Sequence, residues 1–478
     1  MRRSTFNLSH EHKLTMDIGI LCPVACEEVL PGDTFMGQTS LLARVAPLVN
    51  PVMHRVDLRV HHWYVPSRIL WDEFEGWITA SDEAAVKPML TLASDLDLVD
   101  HMGMHPTTGL EIDALPVRAY NMIWNNFYRD QDLSTARDED DLTLARICWE
   151  KDYFTTARPS AQQGDPVTLG LTFSDAPVTG IGNVDTSPLG SQGSIAETGT
   201  AFDQTYANRM NSDSTAGIKV ETDAGGVPLV FADLSNISSG ISIDDLRRAI
   251  ALQRFAEARA RFGSRFVDYL KFLGVNPSDG RLDRPEYLGG GKQDINFSEV
   301  LATAEGTNTE VGDIAGHGIA GMKTRRYRKM FEEHGWVLSL ISARPKTVYM
   351  DSVPRKFQRT DPMDVWQKEL EVLPWQELKQ SEVHFNGSSS TTFGYVPRHE
   401  EYRHGYSYVS GNFRGGPEED WHLARTFASA PTLNETFVEC TPSDRIYGDV
   451  NMPELVINAY NKITAKRLVR RSASLQGL

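Results

Sequence analysis

Two clusters of cations are the residues of this chain best suited to grip an anion. Lys323, Arg325, Arg326, Arg328 and Lys329 fall within seven residues around Tyr327, and Lys462, Lys466, Arg467, Arg470 and Arg471 dominate a C-terminal stretch with no acid after Glu454. Clustered Lys and Arg neutralise phosphates with a salt-dependent affinity, and an interleaved aromatic ring gives a base a surface to stack on. The first cluster has an alternative use, as half of an ion-paired surface with Glu332 and Glu333. The second, a terminal arm without acidic partners, has less to do inside a fold.

The remaining constellations argue against catalysis and against a bound metal or cofactor. His61 and His62 are adjacent in strand-like sequence, so their rings point to opposite faces and cannot share an ion. His10 and His12, and His101 and His105, have better spacing but no third ligand nearby. Cys22 and Cys26 lie about 13 Å apart in an extended chain, too far for a disulfide, and read as buried free thiols. The acidic run from Asp130 to Asp141 has Thr135 where a calcium loop needs glycine. Gly289-Gly-Gly-Lys292 lacks the leading glycine and the hydroxyl of a phosphate loop, and no G-x-S-x-G element is present.

Composition bounds the rest. The 478 residues are 40% hydrophobic with a net charge of −16, which describes a folded protein and excludes a globally basic nucleic-acid binder. Any contact with nucleic acid must therefore be local. Four scattered cysteines cannot staple a chain of this length, and no apolar run approaches a membrane span or a signal-peptide core. The charge is uneven: residues 82–157 hold 15 acids and 6 bases, and residues 158–240 hold 9 and 3, so −15 of the −16 lies between 82 and 240.

The elements that would position these residues are mainly strands. Residues 13–36 read as strand, turn and strand around Pro31-Gly-Asp33, and residues 52–64 alternate with period two. Strand character returns at 336–343, 346–350, 391–396 and 406–409. Between them, residues 117–128 fit a helix. Ser242 and Asp245 cap an apolar stripe that predicts one helix over 242–273, about 45 Å long, closed by Gly274 and Pro277. The expected division is N-terminal strands over 1–66, a mainly helical insertion over 67–157 and a Gly- and Ser-rich acidic surface insertion over 158–240, a candidate protrusion. The long helix and a link follow over 241–288, further strands and loops over 289–452, and a basic tail over 453–478. Strand blocks with oversized connections suggest an antiparallel sandwich.

Ordered segments along the chain sharpen this. Phe6-Asn-Leu-Ser-His10, Leu30-Pro-Gly-Asp-Thr-Phe35, Pro51-Val-Met-His54, Trp63-Tyr-Val-Pro-Ser-Arg68 with Trp71, Tyr120-Asn-Met-Ile-Trp-Asn125, Arg326-Tyr-Arg328 and Tyr395-Val-Pro-Arg398 resemble segments of the major capsid proteins of microviruses, small icosahedral single-stranded-DNA phages. The resemblance implies a mainly β fold, a single viral jelly roll: an eight-stranded antiparallel β-sandwich with large helical and loop insertions. It further implies a non-enzymatic subunit assembling with itself, in about sixty copies, into a T=1 shell around circular single-stranded DNA, in the bacterial cytoplasm. A small basic DNA-binding protein, a DNA pilot protein and a scaffolding protein are the implied partners, with a host surface receptor as a further candidate. In the gokushovirus branch an insertion forms a threefold protrusion, whereas other branches carry a separate spike protein.

On this reading the two basic clusters are candidates to face DNA. Trp71, Trp77, Trp366, Trp375 and Trp421, the helix 242–273 and the Pro-rich segment 353–375 are candidates for subunit contacts. A glycan-binding β-sandwich module, or a glycoside hydrolase using two carboxylates, remains the alternative.

Overall fold

The computed structural model describes residues 3–93, 97–162, 164, 243–263, 265–301 and 314–470, with the backbone of four short strands between 178 and 232. The chain falls into two compact units, residues 1–163 with 257–478, and residues 164–256. In the second, Val178–Asn183, Ile195–Thr198, Thr205–Tyr206 and Phe231–Ala232 pair in a small antiparallel sheet.

The larger unit is built on strands β1 (Ser4–Asn7), β2 (His10–Met16), β3 (Ile20–Val29), β4 (Thr34–Val45), β5 (Val56–Pro66), β6 (Glu286–Asp294), β7 (Asn296–Leu301), β8 (Ile314–Lys323), β9 (Tyr327–Met330), β10 (Gly335–Pro345) and β11 (Leu455–Arg467). Sheet I runs β2-β11-β4-β8, with β1 beside β11, β9 beside β4 and β7 outermost. Sheet II runs β6-β5-β10-β3, ending on a short strand at Ala145–Arg146. Counting only the eight principal strands in chain order, the sheets read 1-8-3-6 and 5-4-7-2, the strand order of a jelly roll.

Alternation explains sheet I. In β11, Leu455, Ile457, Ala459, Asn461, Ile463 and Ala465 are buried, while Val456, Tyr460, Lys462 and Lys466 are exposed. The inward residues meet those of sheet II, such as Leu58, Val60 and Ile341, in the main core. Sheet II is covered on its other face too, so β10 is buried along nearly its whole length. Its cover is helix α1 (Leu115–Phe127), started by Pro116 and by the Asp113 carboxylate, which accepts the Leu115 N–H at 3.0 Å. Val117, Tyr120, Ile123 and Trp124 press onto Trp63, Val65, Leu338 and Leu340. The Tyr120 hydroxyl donates to the Leu21 carbonyl at 2.7 Å and ties helix to sheet.

Several elements differ from the sequence-based expectation. The helix over 242–273 is two helices, α2 (Ile243–Phe262) and α3 (Phe266–Phe272), and its expected cap Ser242 lies outside the described residues. The chain leaves the helix at Gly263, whose φ of +111° is open to glycine and where the Asp268 carboxylate occupies the space of a Cβ. The three glycines at 289–291, which open the expected block of strands and loops, lie in the interior of β6, where a Cβ on Gly290 would stand 2.3 Å from the Val60 carbonyl oxygen. The strands near 391–396 and 406–409 lie outside the sandwich. Thr392–Pro397 pairs with Trp375–Lys379, and Ser407–Tyr408 with Val348–Tyr349, around a separate core that includes Tyr349, Leu378, Phe393 and Phe437. Residues 455–467, expected in a basic tail, form β11, between β4 and the β1/β2 edge.

One buried carboxyl makes stability pH-dependent. Glu454 is 8% exposed and accepts the Ile18 N–H at 2.5 Å. Burial, aided by the carboxylates of Asp17 and Asp444 and opposed by that amide, pushes it up from 4.5 to about 7. A raised carboxyl favours folding while protonated, so its contribution is complete below pH 4.5 and is lost as pH rises through 7. Glu454→Gln is expected to stabilise the protein by about 3 kcal/mol at pH 8 and hardly at all at pH 4.5. Urea unfolding of both proteins across that range measures the difference, and parallel curves would refute it.

Candidate nucleic-acid interface

The two basic clusters, more than 130 residues apart in sequence, converge on the outer face of sheet I. Strand β4 brings them together. Its partners on β11 place Lys466 opposite Thr34 and Lys462 opposite Gln38, and its partners on β9 and β8 place Arg328 opposite Met36 and Lys323 opposite Ser40. Directly opposed residues of antiparallel strands share a face, and these β4 residues alternate with buried Phe35, Gly37 and Thr39. Arg326, in the short β8–β9 connection, reaches the same face, with Nη2 3.4 Å from the Met36 sulfur. Arg325 is exposed in that connection.

Two cations that the sequence reading did not single out extend the patch. Arg44 lies opposite Val456, and Lys13 opposite Asn458, both at exposed positions. At this end the face is hollowed into a groove of about 590 Å³ lined by Lys13, Leu42, Arg44, Val456 and Asn458 beside His101. Two acids lie here, Glu11, 3.6 Å from Lys13, and Asp100, which also lines the groove. Tyr460, 44% exposed, stands between the cations with Leu42 and Val456 as apolar neighbours. Period-two alternation marks Lys13 and Arg44 as outward, but their nearness to Lys462 depends on which strands pair, which alternation does not encode.

Two members of the clusters turn the other way. Arg467 follows Lys466, so on a strand it takes the opposite face. Its Nε lies 2.8 Å from the fully buried Asp33 carboxylate, its Nη2 donates to the Glu28 carbonyl, and its guanidinium covers Phe35 at 5.3 Å. Lys329, opposite buried Phe35, pairs with Glu286 of β6 at 2.6 Å. Both are held in ion pairs. Glu333 pairs with Arg68 rather than with the cluster. Arg470 is exposed just past β11, and Arg471 lies outside the described residues.

The tryptophans divide as well. Trp71 and Trp77 pack on each other, 5.8 Å between rings, against the core beneath α1, and Trp375 and Trp421 are half-buried. Trp366 is 48% exposed and belongs to a run of uncovered apolar residues with Phe357, Met363, Val372 and Leu373. His61 and His62 do point to opposite faces: His62 sits between the sheets against Ser339 at 2.8 Å, while His61 meets the Tyr128 hydroxyl at 2.7 Å. The four cysteines are free, and burial pushes Cys26 and Cys440 up to about 12. No helix among the described residues is long and apolar enough to cross a membrane.

Comparison with known proteins agrees with this architecture. Residues 1–474 match a phage family described as capsid protein (F protein). The chain is 33% identical to capsid protein VP1 of Bdellovibrio phage phiMH2K, over 93% of this chain and 89% of that one. It is 29% identical to capsid protein VP1 of Chlamydia phage 1, over 96% and 93%. With capsid protein VP1 of Spiroplasma virus 4 the identity is 26%, over 91% and 87%.

Proposed function

Because this chain belongs to the phage capsid protein (F protein) family, we propose that it assembles in about sixty copies into an icosahedral shell around circular single-stranded DNA, with the outer face of sheet I turned toward the genome. Family membership makes the chain a structural, non-enzymatic capsid protein and a virion component. The enzyme and glycan-module alternatives are not favoured.

The observation that carries the orientation is the asymmetry of the sandwich. Sheet II is covered by the helical insertion, whereas no element among the described residues covers the outer face of sheet I, which gathers Lys13, Arg44, Lys323, Arg326, Arg328, Lys462 and Lys466 with an exposed tyrosine. Cations and an aromatic ring on a solvent-facing sheet suit a flexible polyanion whose bases are free to stack. Residues 158–240, with nine acids against three bases, suit the shell's outside and contact with a host. A reconstruction of the assembled particle tests both: sheet I should line the lumen and the acidic insertion should lie outside. A lumen lined by the insertion, or sheet I facing out, would overturn the reading.

Shell formation also needs apolar contacts between copies, and the uncovered residues at 357–373 are the best supply. Trp366→Glu with Val372→Glu should abolish particles seen by electron microscopy while leaving the subunit's thermal midpoint within a few degrees of the parent. Normal particles from the double variant would remove this segment from the contact.

A further inference from the structure

The covered face of sheet II contains a cavity of about 320 Å³, between β5, β10 and the segments 127–130 and 147–151. Its wall holds four cations, Arg59, Arg129, Lys151 and Arg344, against two carboxylates, Asp130 and Glu150. Those carboxylates are already shared. Asp130 pairs with Lys151, and Glu150 serves Arg59 at 3.3 Å, Lys346 at 3.0 Å and Arg344 at 4.0 Å.

Among the described residues, three buried N–H donors of lining residues, Arg59 Nε, Arg129 Nε and Trp149 Nε1, find no acceptor, and Trp149 is only 3% exposed. Buried donors are satisfied in the great majority of folded proteins, so three around one cavity ask for an acceptor that enters it. Burial, with Arg59 and Arg344 beside it, pushes His61 down to about 4, and burial together with Arg59 lowers Arg344. Aromatic side chains complete the wall, with Tyr128 held by the His61 ring.

We propose that this cavity is an anion site for a phosphate monoester, either free phosphate or the phosphate of a mononucleotide whose ring lies against His61 and Tyr128. Arg59 is also paired with Asp57 at 3.2 Å, and Arg344 donates to the Cys148 carbonyl at 3.1 Å, so what the wall leaves open is its unaccepted N–H groups and Arg129; a phosphate supplies several acceptor oxygens for them, and guanidinium groups bind it in a planar fork. The proposal stands apart from the genome-facing role, since the cavity lies on the other sheet.

Calorimetric titration of the purified full chain with inorganic phosphate, deoxyadenosine monophosphate and deoxyadenosine, at constant ionic strength, tests it. Phosphate should bind the parent. Trp149→Phe, which keeps a ring but drops one N–H, and Arg344→Lys, which keeps the charge but loses the fork, should each weaken binding about tenfold. Tighter binding of the nucleotide than of phosphate identifies a nucleotide site, and equal binding a phosphate site, while the nucleoside should not bind. Absence of phosphate binding, or unchanged binding in both variants, would overturn the proposal. Single-stranded DNA affinity measured in parallel should not move in either variant.

Discussion

Replacing Lys323, Arg328, Lys462 and Lys466 together with glutamine is expected to lower affinity for single-stranded DNA about 100-fold at low salt and to flatten its salt dependence. Each neutralised phosphate contributes about 0.7 to the slope of log affinity against log salt for a single strand, so four lost contacts should remove about 2.8. The four side chains are exposed on neighbouring strands of one sheet, so their loss should cost little stability. Lys356→Gln with Lys368→Gln, exposed lysines outside the sandwich, serves as the comparison and should leave the slope as it is. Filter binding or fluorescence anisotropy with a short oligonucleotide, repeated across a salt series, gives the slopes. An unchanged slope in the fourfold variant would show that the outer face of sheet I is not where DNA binds. Adding Arg44→Gln and Lys13→Gln should flatten it further, because the register places both on the same face.

The strands themselves were legible because alternation is a local property. Residues 13–36 show strand, turn and strand, and β2, β3 and β4 are found there, with the chain turning at 30–33. The jelly-roll order was not legible this way, since β11 pairs with strands more than 400 residues earlier and only the family resemblance anticipated it. The C-terminal misreading is instructive. Leu455, Ile457, Ala459, Ile463 and Ala465 already spell a strand with one apolar face, but the density of Lys and Arg drew attention to charge instead. The same alternation separates Lys462 and Lys466, four residues apart and on one face, from Arg467 on the other. The helix break at Gly263 escaped because Phe262, Phe266 and Leu270 keep helical spacing on both sides of it, so periodicity continues through a turn that only backbone geometry reveals. The three donors of the sheet II cavity come from three separate segments, and its lining from four, so no local pattern joins them.

Arg467→Met is expected to destabilise the subunit by about 3–5 kcal/mol, the cost of stranding a buried charge. Asp33 is 0% exposed and sits in the β3–β4 turn, where its carboxylate also accepts the Leu30 N–H at 3.0 Å. Without the guanidinium it must stay charged in a dry site or take up a proton, and the turn joining the two sheets loses its anchor to β11. Lys466→Met, one residue earlier but facing solvent, should change stability by less than about 0.5 kcal/mol. Urea unfolding of the two variants separates these roles within one dipeptide. Combining Arg467→Met with Asp33→Asn should recover part of the loss, because the uncompensated charge is gone even though the pair is not restored. If Arg467→Met proved as stable as its parent and instead bound DNA less tightly, Arg467 would be a genome contact, and its pairing with Asp33 would not be what holds β11 to the turn.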